Sequence, residues 1–318
     1  MEEPNDFRAA AVRRGLRKGV SGAAWMLKIL VPVALATALL EYSGWLNGLD
    51  RLLVPVMSVL RLPPEAALPI LVGLTAGIYA CIAVMAALPL TPEQMTIVTV
   101  FVLIAHSLPQ EALIQAKSGV GFTKSAGVRL TAAFLTALAV ACILQPAHGP
   151  SAAVEHPAVR AEQAILPFLL AWSLSMLPLC LKIVAIIVGV MILIELLKSY
   201  HLVDRCATLF GPVLKIMGLD RRASLLWLTG ALFGLGYGGA VIVEQSRELQ
   251  LSAAEVEKLQ LSIGINHAMV EDPLLFLPFV VSPLYVWLPR LAAAIAVVYL
   301  VTLLRRVVRV VRVARHHV

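Results

Sequence analysis

The 318-residue chain is poor in charge. Only 14% of its residues are Asp, Glu, Lys or Arg, against 60% apolar. A soluble domain of this length could not clothe its surface with so few polar groups, which excludes an ordinary globular enzyme. Cysteine is scarce: Cys81, Cys142, Cys180 and Cys206 show no CxxC spacing, so neither a disulfide framework nor a zinc-ribbon site is expected. No HExxH and no nucleophile–base pairing stand out, and an enzyme is not expected. The glycines Gly234, Gly236, Gly238 and Gly239 resemble a phosphate loop. No strand pattern precedes them and no Walker lysine follows, so a nucleotide-binding reading fails and no cofactor is expected. Short alternating strands of the membrane-barrel kind are missing too. The N-terminus lacks a short apolar core with a small-residue cleavage site, so no signal peptide is expected.

What is present is a series of apolar runs, at 25–42, 67–88, 130–145, 164–197, 223–243 and 288–304. Each approaches or exceeds the roughly 20 residues a bilayer-spanning helix needs. Lipid requires backbone groups to pair within a segment, so the expected class is an all-α polytopic membrane protein. The net charge of +7 sits mainly at the termini and in particular loops, which suits a membrane topology and not nucleic-acid binding.

The chain repeats itself. LKILVPVALATALLEYSGWLNGLDR (27–51) lies over LKIVAIIVGVMILIELLKSYHLVDR (181–205), pairing Lys28 with Lys182, Glu41 with Glu195, and Asp50-Arg51 with Asp204-Arg205. Further on, PVMSVLRL (55–62) matches PVLKIMGL (212–219), Gly73 and Gly77 match Gly230 and Gly234, and HSLPQE (106–111) matches HAMVED (267–272). The order of these matches marks an internal duplication. The expected division is a cytoplasmic amphipathic N-terminal helix (1–23), a first repeat (24–146), a linker (147–163), a second repeat (164–304) and a basic tail (305–318). In each repeat the His-containing segment, opened by Thr91 or Ser252 as N-cap, is interrupted near Pro109 or Pro273. It is expected to enter the membrane and return, leaving three spanning helices per repeat and inverting the second repeat relative to the first. That arrangement places 18 of the 26 Lys/Arg on the inner face and six on the outer. It also places both termini in the cytoplasm of a bacterial inner membrane. Residues 164–180 are expected to lie partly in the interface, as the counterpart of the N-terminal helix.

The few polar groups inside apolar segments are the candidate chemistry. His106 and Glu111 flank one break; Asn266, His267, Glu271 and Asp272 flank the other. Ionisable groups at membrane depth face cavities or partners, and interrupted helices near the midplane with repeated topology are typical of secondary transporters. The second motif concentrates more polar groups and is expected to matter more. Cys81 and Met85, one turn apart, are a candidate soft-metal pair. Glu41 and Glu195 are expected to anchor helix ends, Lys28 and Lys182 to snorkel, and Glu244 to line a cavity or mark the interface. Arg306, Arg309, Arg312 and Arg315, three apart among valines, suit the anionic lipids of an inner leaflet.

LTGALFGLGYGGAVIVEQ followed by LSIGINHAMVEDPLLFLP, with GIYACIAVM and IAHSLPQEALI in the first half, resembles the nucleoside-recognition, or Gate, domain family. That resemblance covers about residues 25–305. The family includes Gate segments of concentrative nucleoside transporters, the membrane part of the ferrous-iron permease, whose GTPase domain has no counterpart here, and spore maturation proteins. The resemblance implies a transporter-like core with a small polar, nucleoside-like solute as substrate. A divalent-metal permease using Cys81, Met85, the histidines and the carboxylates is an alternative. So is a non-transporting scaffold for envelope or lipid assembly. The implied partners are lipids, a small solute or ion, and a second copy in a homo-oligomer.

Overall fold

The computed structural model describes residues 4–43, 50–146, 165–200 and 250–316, together with parts of 212–235. The described residues form helices and no strand. Glu244, Cys206, the linker, and three of the four glycines in the 234–239 run lie outside them.

Two long helices frame the molecule. α1 runs unbroken from Pro4 to Tyr42 and α8 from Ile165 to Ser199. They are antiparallel. Gly15 and Gly19 of α1 lie against Ile192 and Val188 of α8, and at the other end the rings of Tyr42 and Phe168 are 4.8 Å apart. The small residues let the two backbones approach closely, as membrane helices do where no side chain intervenes. Glu195, an expected anchor, closes this pair: Lys18 Nζ lies 2.6 Å and Arg14 Nε 3.4 Å from its carboxylate. Two expectations about helix extent therefore change. The N-terminal amphipathic stretch is not a separate helix. Residues 165–180 are the first half of one continuous apolar helix, because nothing breaks α8 between Ile165 and Leu193. A methyl group added at Gly15 would come within 2.5 Å of the Ile192 Cα, and at Gly22 only within 3.9 Å of a flexible side-chain atom. Gly15→Val is accordingly expected to cost about 1–3 kcal/mol by overpacking, and Gly22→Ala almost nothing; melting of the detergent-solubilised protein compares them.

Between these helices lie α2 (Asp50–Val59), α3 (Ala67–Ala76), α4 (Ile78–Ala87), α5 (Pro92–Ala105), α6 (Leu108–Lys117) and α7 (Phe122–Leu144). After α8 come α9 (Ala253–Ile265), α10 (Glu271–Phe276) and α11 (Leu284–His316). Thr91 and Ser252 each start their helix with a complete capping box, reciprocated by Gln94 and Glu255.

The first Gly-containing apolar run departs from the sequence reading. Residues 67–87 do not form one spanning helix. They fold back at Gly77, whose φ of +97° suits only glycine, and the site of a Gly73 Cβ lies 3.2 Å from the Cys81 Cβ. In a continuous helix, residues eight apart would be roughly 12 Å apart. α5 and α6 instead continue past their break without packing on each other, and α7 runs alongside both. Together α5 and α6 (Pro92–Lys117) are long and apolar enough to cross a membrane. Contacts between the halves agree. Val281 N donates to Thr96 Oγ1 at 3.0 Å, while Glu257, near the start of α9, pairs with Lys124 and Arg305. The start of each broken helix thus lies beside the far end of the other, so the two run antiparallel.

α7 and α11 are also antiparallel and share an apolar groove. Its walls are matching positions 161 residues apart, among them Gly127 and Leu288, Ala132 and Ala293, and Ala139 and Leu300. The core between all these helices is dominated by α4 and α5, with Trp227 fully buried and donating to Ser262 Oγ.

Candidate functional site: two helix breaks face to face

α5 stops at His106 because Ser107 takes a left-handed conformation (φ 46°); α9 stops at Asn266, and Ala268 repeats that conformation (φ 45°). The two left-handed residues are 161 positions apart, the offset of the two histidines, whereas α9 stops one residue earlier than that offset gives. Pro109 lies in the first turn of the following helix and tolerates, rather than causes, the break. The Gly77 hairpin supports the first break, with Ser107 N donating to Gly73 O at 3.0 Å. At the second break Met269 N donates to Ala231 O.

A broken helix leaves carbonyls unsatisfied at one end and N–H groups at the other, with partial charges to match. Two arginines answer the carbonyl ends. Arg129 Nε donates to Ile104 O and Nη2 to His106 O, both at 3.0 Å. Arg290 makes the equivalent pair to Ile265 O (3.4 Å) and His267 O (2.7 Å). Both side chains are fully buried. At the opposite ends, Glu111 and Asp272 sit in the first turns of α6 and α10, where a negative charge is favoured.

The two histidines meet across the breaks. Their Nε2 atoms are 3.2 Å apart and their ring centroids 4.8 Å apart. Glu111 Oε1 lies 3.2 Å from His267 Nε2 and 3.5 Å from His106 Nε2; Asp272 Oδ2 lies 3.5 Å from His106 Nε2. Each half thus offers its carboxylate to the other half's histidine. The exchange is not fully symmetric. Glu111 Oε2 is held 2.6 Å from Arg129 Nη2, whereas Asp272, one methylene shorter, makes no such pair with Arg290. Among the described residues, Asp272 Oδ2, Arg290 Nη1 and both polar atoms of fully buried Asn266 have no hydrogen-bond partner.

Of the residues singled out from sequence, His106, Glu111, His267 and Asp272 converge, with Asn266 next to His267 in the chain. Glu271 is engaged elsewhere, accepting from Tyr79 Oη of α4 at 3.0 Å. In the first motif Glu111 touches both histidines and an arginine. Cys81 and Met85 lie fully buried in the apolar core, and the His/Cys/Asp/Glu grouping found among the described residues is His106, Glu111 and His267. The arginines were missed. Counting Arg129 and Arg290 as loop residues hid them, although RLTAA (129–133) and RLAAA (290–294) repeat at the offset of the histidines.

Comparison with known proteins agrees with this duplicated core. The family described as Gate, nucleoside recognition, matches residues 23–147 and 180–297. The uncharacterized membrane protein YvoD of Bacillus subtilis (strain 168) is 29% identical over 259 residues, covering 80% of this chain and 82% of that protein. No solved structure matches.

Proposed function

Since this chain belongs to the Gate, nucleoside-recognition, family, we propose that it is a secondary transporter or permease of a bacterial inner membrane. It moves a small polar solute, nucleoside-like by family, through the centre where the two breaks meet. The observation that carries this reading is the reciprocal His/carboxylate cluster at two interrupted helices, the architecture that secondary transporters use to hold solute or ion at mid-membrane. The two halves are inverted. Antiparallel packing of equivalent helices, α1 with α8 and α7 with α11, supports this, as do the contacts of Thr96 with Val281 and of Glu257 with Lys124.

With the Gly77 segment as the hairpin and the His segment crossing, each repeat still crosses three times. Both termini lie in the cytoplasm. Lys258 and Arg247 move to the inner face, and buried Arg129 and Arg290 leave the count. The split then becomes 19 inside to three outside, sharper than the first arrangement gave. The basic end of α11 meets the anionic inner leaflet.

Cysteine accessibility in intact cells tests the topology. In a chain stripped of its four cysteines, Gly119→Cys and Leu251→Cys are expected to label only from the cytoplasm and Ser282→Cys only from outside. Labelling of Leu251→Cys from outside would restore the returning-loop arrangement. Uptake by reconstituted protein, screened with nucleosides and divalent ions, tests transport itself. Well-folded protein that moves none of them would favour a scaffold.

A further inference from the structure

His106 Nδ1 faces Val102 O at 3.2 Å and His267 Nδ1 faces Ile263 O at 3.1 Å. A carbonyl can only accept, so each Nδ1 carries a proton, and in the neutral ring the Nε2 lone pair then faces the centre. There the two Nε2 atoms point at one another, and Glu111 Oε1, a third acceptor, points at both. Three acceptors at 3.2–3.5 Å repel unless a cation joins them.

We infer that His106, His267 and Glu111 bind one divalent transition-metal ion, with Asp272 as a carboxylate within reach of the set. A tetrahedral metal with bonds of about 2.0–2.1 Å has ligand atoms about 3.3 Å apart, and the three separations here are 3.2, 3.2 and 3.5 Å. The outer contacts are those of metal sites: both histidines donate Nδ1–H to backbone carbonyls, and Arg129 grips Glu111 Oε2, which aims Oε1 inward. Two imidazoles with carboxylate select a borderline ion such as Zn²⁺, Fe²⁺, Co²⁺ or Mn²⁺. They disfavour Mg²⁺ and Ca²⁺, which take oxygen shells, and Cu(I), which prefers sulfur. Affinity is modest. Arg129 and Arg290 already balance Glu111 and Asp272, so an added dication is only partly neutralised by the nearby Glu271. Modest affinity suits an ion that must come and go.

The site does not include Cys81 or Met85, and it does not depend on the transport reading. An ion bound there and not carried would overturn transport and leave the site; a carried nucleoside with no ion bound would do the reverse. Titration of the purified full chain with Co²⁺, Zn²⁺ or Mn²⁺ measures binding directly, in a background where His316→Gln and His317→Gln remove the adjacent terminal imidazoles. One equivalent per chain is expected, with Mg²⁺ unable to compete. His267→Gln and Glu111→Gln should weaken binding about 100-fold or more. Should those variants fail to fold, X-ray absorption of the Co²⁺-loaded wild type decides. Two imidazole ligands are expected. Binding that persists in His106→Gln/His267→Gln, an all-oxygen shell, or no binding at all overturns the site and leaves a proton shared between the two rings.

Discussion

Replacing Arg129 by Leu is expected to cost about 3–5 kcal/mol, enough to prevent accumulation of folded protein. The guanidinium satisfies two carbonyls at the end of α5 and is the ion-pair partner of Glu111. Its loss leaves three groups in an interior from which water is excluded. Arg290→Leu should cost less, about 2–3 kcal/mol, because Arg290 serves the two carbonyls at the end of α9 but no carboxylate at pairing distance. Arg129→Leu/Glu111→Leu should recover part of the loss by removing the stranded charge, and nothing more, since Ile104 O and His106 O remain bare. Expression yield, size-exclusion profile and melting temperature of the four proteins order them. Equal damage from the two arginine changes would show that the pair with Glu111 contributes nothing.

The largest effect on activity is expected from the histidines. His267→Gln keeps the volume and a polar atom, so stability should fall by only about 1 kcal/mol. Transport should drop at least about 100-fold, since the ring stands 3.2 Å from both His106 Nε2 and Glu111 Oε1. His106→Gln should do the same. The double change should be no worse than either alone, because groups acting as one unit are strongly non-additive. Asp272→Asn keeps the shape and removes the charge, and should impair transport while folding is retained. Uptake by reconstituted protein, with melting as the control, reads all four. Full activity in the double histidine variant would remove the centre from the mechanism. Collapse of folding in each single variant would make it a structural brace.

Much of this was legible in the sequence, for identifiable reasons. The duplication shows in ordered matches, and the helix starts at Thr91 and Ser252 follow from capping chemistry that is local by nature. The His/acid motifs stand out because charge is rare here. What could not be read was which interrupted segment folds back. Gly77 and Ser107 both take left-handed conformations, but only the glycine announces it, and a glycine in an apolar helix usually signals close packing. In the proposed topology either choice gives three crossings per repeat, and the change moves Lys258 and the start of α9 to the other face. The arginines escaped for a related reason. Each stands near the start of an apolar run, where Lys/Arg usually marks the membrane boundary, and only the broken helix beside it turns it inward.

The reciprocal exchange of carboxylates has a consequence for how such a molecule can originate. One half alone holds an incomplete centre: His106 without Asp272, or His267 without Glu111. A chain half this long could complete it only by meeting a second copy of itself facing the other way. Such a progenitor would have had to insert both ways round, with its basic residues balanced between the two sides. Fusion removes that requirement, since each half keeps one orientation for good, and the lysines and arginines are then free to gather on a single side. Once fixed, the halves can also diverge where they meet. At the centre itself Asn266 stands where the first half has Ala105, and Asp272 where it has Glu111.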